Sequence, residues 1–148
     1  MTFRFVEHQA DIAVELEAAD RRGLFQAGLE AVAALLTGSL DAETAEQVVT
    51  ELPTGKRGDF SIEGCGYDDE ERLINLLNKL LNACQIDGWW PKRVKDVDFR
   101  DDGSVRARLS GIHDCNKKLF TREVKAATYH NLKIETDPVW RTKVVFDV

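Results

Sequence analysis

The sequence predicts an α+β domain in which two helices pack on a mainly antiparallel, or mixed, β-sheet. Three observations predict it. Two stretches, residues 24–36 and 73–84, repeat apolar residues at helical spacing. Short runs before, between and after them alternate apolar and polar residues with the period of a strand. Two amphipathic helices cannot bury their apolar stripes on each other alone, and laying both on a sheet face solves this.

Phe3 and Phe5 alternate with Arg4 and Val6 in a first, edge-like strand. Ile12, Val14 and Leu16 alternate with Ala13, Glu15 and Glu17 in a second, with His8 to Asp11 as the connection or a bulge. Asp20 is placed to cap the first helix, whose apolar positions are Leu24, Phe25, Gly28, Val32, Leu35 and Leu36. Gly38 stops it. Residues 45–52 and 58–63 read as two strands joined by the turn from Pro53 to Gly58.

Asp68 and Glu71 form a capping box for the second helix. Its apolar face is Leu73, Ile74, Leu77, Leu80, Leu81 and Cys84, and Asp87-Gly88 ends it. Residues 93–99 and 104–110 make a hairpin around Asp101-Asp102-Gly103. Residues 123–135 and 139–148 are the last two strands, with Asp137-Pro138 near their turn. Trp89 and Trp90 read as a core plug, although an exposed pair would mark a partner surface.

The 148 residues read as one domain, 1–148, and a chain of this size buries roughly 70% of its unfolded surface. The net charge of −6 argues against a nucleic-acid coat protein, which needs a basic face, so no strong direct nucleic-acid binding is expected. Cys65, Cys84 and Cys115 are widely spaced, with no CxxC pair, which favours reduced thiols and a cytoplasmic location. The N-terminus lacks a signal-peptide core, and no apolar run is long enough to span a bilayer.

The candidate chemistry lies at the two ends of the chain. If the last strand docks beside the His8–Asp11 turn, the Asp11 side chain, the Asp147 side chain and the Val148 terminal carboxylate converge. Three anions at one point repel unless a hard cation sits between them. Oxygen-only ligation suits calcium, magnesium or manganese rather than zinc or copper. Against this, Asp11 taken locally reads as a turn aspartate bonding nearby backbone, and chain ends commonly fray. Yet the apolar Val144-Val145-Phe146 run favours a docked terminus.

His8, Lys125 and His130 are candidates to support the site or to contact a partner, while His130 also reads as a structural histidine. Lys117, Lys118, Arg122, Lys125, Arg141 and Lys143 make the last third locally basic; a solvated strand face explains most of this, and a small RNA-contacting patch is the sharper alternative. No HExxH, GxSxG or GxGxxG occurs, so no catalytic residue is assigned.

The same residues carry a family likeness. His8-Gln9-Ala10-Asp11-Ile12 resembles the HxADI-type motif of the archease family. Glu123-Val124-Lys125-Ala126-Ala127-Thr128-Tyr129-His130 resembles its EhKAxTYH-type motif, where h is apolar, and Val144-Val145-Phe146-Asp147-Val148 its terminus. The likeness covers essentially the whole chain. It implies a small cytoplasmic protein that is not itself an enzyme. It implies a protein cofactor that promotes guanylylation and repeated turnover of the tRNA-splicing RNA ligase. It also implies a metal site at Asp11, Asp147 and Val148, with calcium the expected ion. The chain departs from the family at Gln9, where Thr is common. It departs again at Asn75, Leu76 and Lys79, where the family often has an acidic residue, Trp and a second acidic residue. Two other readings stand beside this one, a metal-dependent phosphoester hydrolase and a chaperone-like adaptor for RNA-modification proteins.

Overall fold

The computed structural model describes residues 1–7, 11–37, 54–113 and 120–148. The expected strand 45–52, the Gly38 stop, His8, Gln9 and Cys115 lie outside the described residues. The elements run β1 (Thr2–Glu7), β2 (Asp11–Ala18), α1 (Arg21–Thr37), β3 (Lys56–Cys65), α2 (Asp69–Gln85), β4 (Trp90–Phe99), β5 (Ser104–His113), β6 (Ala126–Thr128) and β7 (Trp140–Asp147).

The α+β class expected from sequence holds, and the strands divide between two sheets. One has the order β1-β2-β7-β6 and the other β3-β5-β4. Every pairing between these strands is antiparallel. Helix α1 packs on β2 of the first sheet and β4 of the second, while α2 packs on β3 and β6. Both helices therefore serve both sheets, and one continuous core fills the space between. Phe25, Leu73, Ile74, Leu77 and Leu80 are wholly buried in it, as the helical spacing predicts.

Local signals set the element ends. The Asp20 side chain accepts from the Gly23 N–H at 2.7 Å, capping α1. Asp68 accepts from the Glu71 N–H at 2.8 Å, capping α2. The return bond of the capping box goes to the Tyr67 N–H, at 3.5 Å, one residue before the cap. Asp69 then ties the helix starts together, accepting from Arg21 at 2.6 and 2.9 Å and from Arg72 at 3.0 Å. In the β4–β5 hairpin, Ser104 donates from hydroxyl and backbone to Asp102, which holds that carboxyl below the usual range. Gly103 takes the left-handed conformation, φ 87°, that this turn needs.

Trp90 is buried and stacks on Phe120, while Trp89 lies between Phe60 and His113. Trp90 thus fills a small cluster with Ile112 and Phe120 apart from the main core, while Trp89 is half-buried against that core. The expected long strand 123–135 is shorter in the fold, since β6 ends at Thr128. Beyond it a Leu132 N–H to Tyr129 carbonyl bond, with Asn131 at φ 52°, turns the chain out of the ladder. The segment rejoins β7 through the Glu135–Arg141 bridge. Leu132 and Ile134 still pack on the core, so their apolar alternation is served without a strand.

At Gly64 the backbone of β3 lies close against that of α2. A Cβ there would lie 2.7 Å from the Leu76 nitrogen and 2.8 Å from the Arg72 carbonyl oxygen. Gly64→Ala must push backbone from backbone, and is expected to lower stability by about 1–3 kcal/mol in urea denaturation. A change under 0.5 kcal/mol would show that α2 is not seated so tightly.

Candidate metal centre

The first sheet brings together the two ends of the chain. In the β2–β7 ladder Asp11 is directly opposite Asp147, and in the β6–β7 ladder Asp147 is opposite Ala126. The neighbouring row, Ile12–Phe146–Ala127, is buried against the helices. Side chains alternate along strands, so the Asp11 and Asp147 side chains share the outer face. The same face carries Ala13 opposite Val145, Glu15 opposite Lys143 and Glu17 opposite Arg141. Arg141 donates to Glu17 at 3.2 Å, and Arg4 donates to Glu15 from β1.

These charged rows match positive with negative, which favours pairing across strands. The Asp11–Asp147 row does the reverse. Opposed residues of an antiparallel pair have Cα atoms about 4.5–5.5 Å apart. Two like charges near 5 Å repel by about 3 kcal/mol at an effective dielectric near 20, and less where water reaches them. Asp147 is exposed and Asp11 half-buried. The Asp11 Oδ1 is withdrawn from water, with under 1 Å² accessible. Two carboxylates on one face of a ladder row, one of them with an oxygen withdrawn from water, are a donor set that would suit a hard divalent cation. Among the described residues no group of three His, Cys, Asp or Glu side chains could hold a metal. The centre thus rests on this pair of side chains, beside Val148, which is exposed next to Asp147.

The position of Asp147 is fixed from both sides. Its carbonyl accepts the Lys125 N–H at 2.8 Å, which brings Lys125 to the same end of the sheet. His130 lies outside this row, beyond Thr128, where its ring nitrogen is 3.4 Å from the Asn131 amide. His8 falls outside the described residues.

Sequence reasoning missed the groups that hold the motif strand. Asn78 donates to the Ala127 carbonyl at 3.1 Å and accepts its N–H at 2.7 Å. Gln85 does the same for Val124, at 2.7 and 2.8 Å. Each amide replaces a strand neighbour, so α2 clamps residues 124–127 against β7. Asn75 accepts from the Tyr129 hydroxyl at 3.3 Å and donates to the Cys65 carbonyl at 2.6 Å. Burial, with Glu71 and Asp68 nearby, holds the Tyr129 hydroxyl above its usual pKa. The signal was the spacing of Asn75, Asn78, Asn82 and Gln85 along one stripe of α2, amides where a solvated face would carry charges. Of the positions where the chain departs from the motif pattern it resembles, Leu76 is wholly buried and Lys79 exposed.

The fold and site define a small α+β protein with a carboxylate pair at the junction of its second and last strands. The model of the "Archease protein family (MTH1598/TM1083)" matches residues 3–148. A curated "Protein archease" of Methanopyrus kandleri is 31% identical over 152 residues, covering 100% of both chains. Those of Thermotoga maritima and Archaeoglobus fulgidus are 32% identical over 146 residues and 28% over 150, covering 96% and 100% of both chains. The solution structure of Methanobacterium thermoautotrophicum protein 1598 superposes with a TM-score of 0.64 at 20% identity, covering 99% of this chain and 98% of that one, and shares its fold. This chain belongs to the archease family. No helix among the described residues is long and apolar enough to cross a membrane.

Proposed function

We propose that this protein is a cytoplasmic, metal-binding activator of the tRNA-splicing RNA ligase. It promotes the guanylylation and repeated turnover of its partner in tRNA splicing or RNA repair, and catalyses no step itself. The observation that carries the reading is the opposed Asp11–Asp147 pair, at the positions where the family motifs lead one to look for it. Family membership supports the ligase as partner.

In this reading Asp11, Asp147 and a main-chain oxygen of Val148 hold a divalent ion, calcium first and magnesium or manganese next. The ion supplies positive charge that cancels their repulsion. Asp11 and Asp147 thereby pin β2 to β7, and the Lys125 N–H extends the pin to the motif strand. A rigid edge of this kind can favour one conformation of a partner, which is all an activator must do. The net charge of −6 suits approach to an enzyme with a basic RNA channel.

The test is a guanylylation assay with the cognate ligase. The wild-type protein should raise both the rate of guanylylation and the number of turnovers. Asp11→Ala should abolish the stimulation while leaving the circular dichroism spectrum unchanged. Full stimulation by folded Asp11→Ala protein would rule the mechanism out. Hydrolysis of RNA or nucleotide by the purified protein alone would point instead to a phosphoesterase.

A further inference from the structure

We propose that the end of the second sheet where β3 and β4 begin is a binding surface for a single nucleic-acid strand. Lys56, Arg57, Lys92 and Arg93 meet its phosphates, and aromatic rings packed among them meet its bases. The proposal does not rest on the ligase reading.

The ladder register gathers the four cations. Lys56 is opposite His113, and Arg57 is opposite Ile112, which faces Trp90 on its other side. Arg93 is opposite Ser110, two positions back along β5. All four therefore lie within a few ladder rows, on two strands that flank β5 about 10 Å apart. All four are exposed.

The irregular course of β4 sharpens the cluster. Its register with β5 shifts between Pro91 and Arg93, and again between Val94 and Asp96. Lys92 and Lys95 fall at these shifts, and a bulge re-aims the side chain it carries. The Lys95 ammonium crosses β5 and donates to Asp59 on β3 at 2.8 Å. Asp59 is the acidic residue of the Arg93 row, so the anion of that row already has its cation. Farther along the same face the charges match across strands. Arg108 meets Asp96 at 3.1 Å, and Arg106 is opposite both Glu63 and Asp98. The fold thus pairs its cations at one end of the sheet and crowds them at the other, where they repel. A polyanion relieves that repulsion, and a run of phosphates is one.

The rings favour a nucleic acid over an acidic polypeptide. Trp89 is stacked between Phe60 and His113, with centroids 4.5 and 4.6 Å away. It lies against β3 beside Arg57, since a Cβ on Gly58 would be 3.6 Å from its ring. Trp90, in the Arg57 row, stacks on Phe120 at 5.2 Å with 3° between the planes. Trp89 and Phe120 remain partly exposed beside the cations. Cations interleaved with aromatic rings suit a single strand, whose phosphates take the charge and whose unpaired bases stack. A duplex keeps its bases inside and offers only the phosphates. The net charge of −6 makes the contact weak and dependent on salt.

Fluorescence polarisation of a labelled oligouridylate of about 10 nucleotides, titrated with the full chain in about 50 mM salt, should show saturable binding. The logarithm of the affinity should fall against that of the salt concentration with a slope of about −3, near −0.7 for each of four phosphates. Arg93→Glu should weaken binding at least about fivefold and make the slope shallower by about 0.7. Lys133→Glu makes the same change of charge at an exposed residue beside β7, and should change the affinity less than about twofold. Both side chains are on the surface, so each variant should keep the wild-type circular dichroism spectrum. Oligothymidylate bound equally well would assign the surface to single strands at large, and a preference for oligouridylate would assign it to RNA. No binding up to about 500 µM protein would overturn the proposal. So would an Arg93→Glu variant no weaker than Lys133→Glu. A duplex or a polyglutamate peptide bound as tightly as the single strand would also overturn it, the peptide marking a surface for an acidic protein instead.

Discussion

If the proposed site binds calcium, the ion is expected to raise the unfolding temperature of the wild-type protein, and Asp11→Asn is expected to abolish that rise. An ion at a hundred times its dissociation constant stabilises a folded protein by about 2.7 kcal/mol, several degrees for a domain of this size. Asn keeps the shape of Asp11 but removes one of the two opposed charges, so that increment should vanish. In chelator the sign should reverse. Without an ion, the wild-type pair repels across the β2–β7 ladder. Relieving it should leave Asp11→Asn as stable as wild type, or more stable by up to about 1 kcal/mol. Thermal unfolding with and without calcium reads both halves. A variant that loses stability equally in chelator and in calcium would mean that Asp11 is a turn residue and nothing more.

The second large effect is expected at Asn78. Asn78→Ala should cost roughly 2–4 kcal/mol, because it leaves the Ala127 N–H and carbonyl without the amide that now bonds both. The cost is local before it is global. Amide hydrogens of 125–128 should exchange faster, since β6 would keep only its β7 side. Calcium affinity should fall as well, because the Lys125 N–H on the Asp147 carbonyl is part of what holds the site. Asn78→Asp is the companion variant. It keeps the acceptor for the Ala127 N–H but sets a carboxylate against the Ala127 carbonyl, so it should stabilise no better than Ala. Denaturation curves within 0.5 kcal/mol of wild type would show that the clamp is incidental.

Much of the fold was legible where the interactions are local. Asp20 and Asp68 cap the helices because a short acceptor before an apolar repeat can reach the first free N–H groups. The β4–β5 hairpin follows from Asp102-Gly103, whose turn geometry depends on neighbours in sequence. Reading 123–135 as one strand failed beyond Thr128. Its alternation is real, but Leu132 and Ile134 reach the core from an irregular segment, held by the Ile134 N–H on Glu70 and the Thr142 hydroxyl on the Lys133 carbonyl. Alternation reports which side chains seek burial, and cannot tell a ladder from a loop laid on the same core.

The candidate site divides the same way. Asp11 and Asp147 were readable as candidates because an acidic residue beside a buried strand invites a partner. That they are directly opposite follows only from the ladder, since β2 and β7 could in principle pair in other registers or in other sheets. The amide clamp was harder to see, because Asn78 and Gln85 bond to backbone, and backbone acceptors have no signature in sequence. By itself, the sequence determined the helices, most of the strands and the residues that could bear chemistry, since propensity, capping and periodicity act over a few neighbouring positions. Only the tertiary structure decided that the strands form two sheets, that β2 and β7 pair, and that α2 holds β6 against β7. Those outcomes are set by which distant surfaces bury each other best, a property of the packed chain and of no single segment.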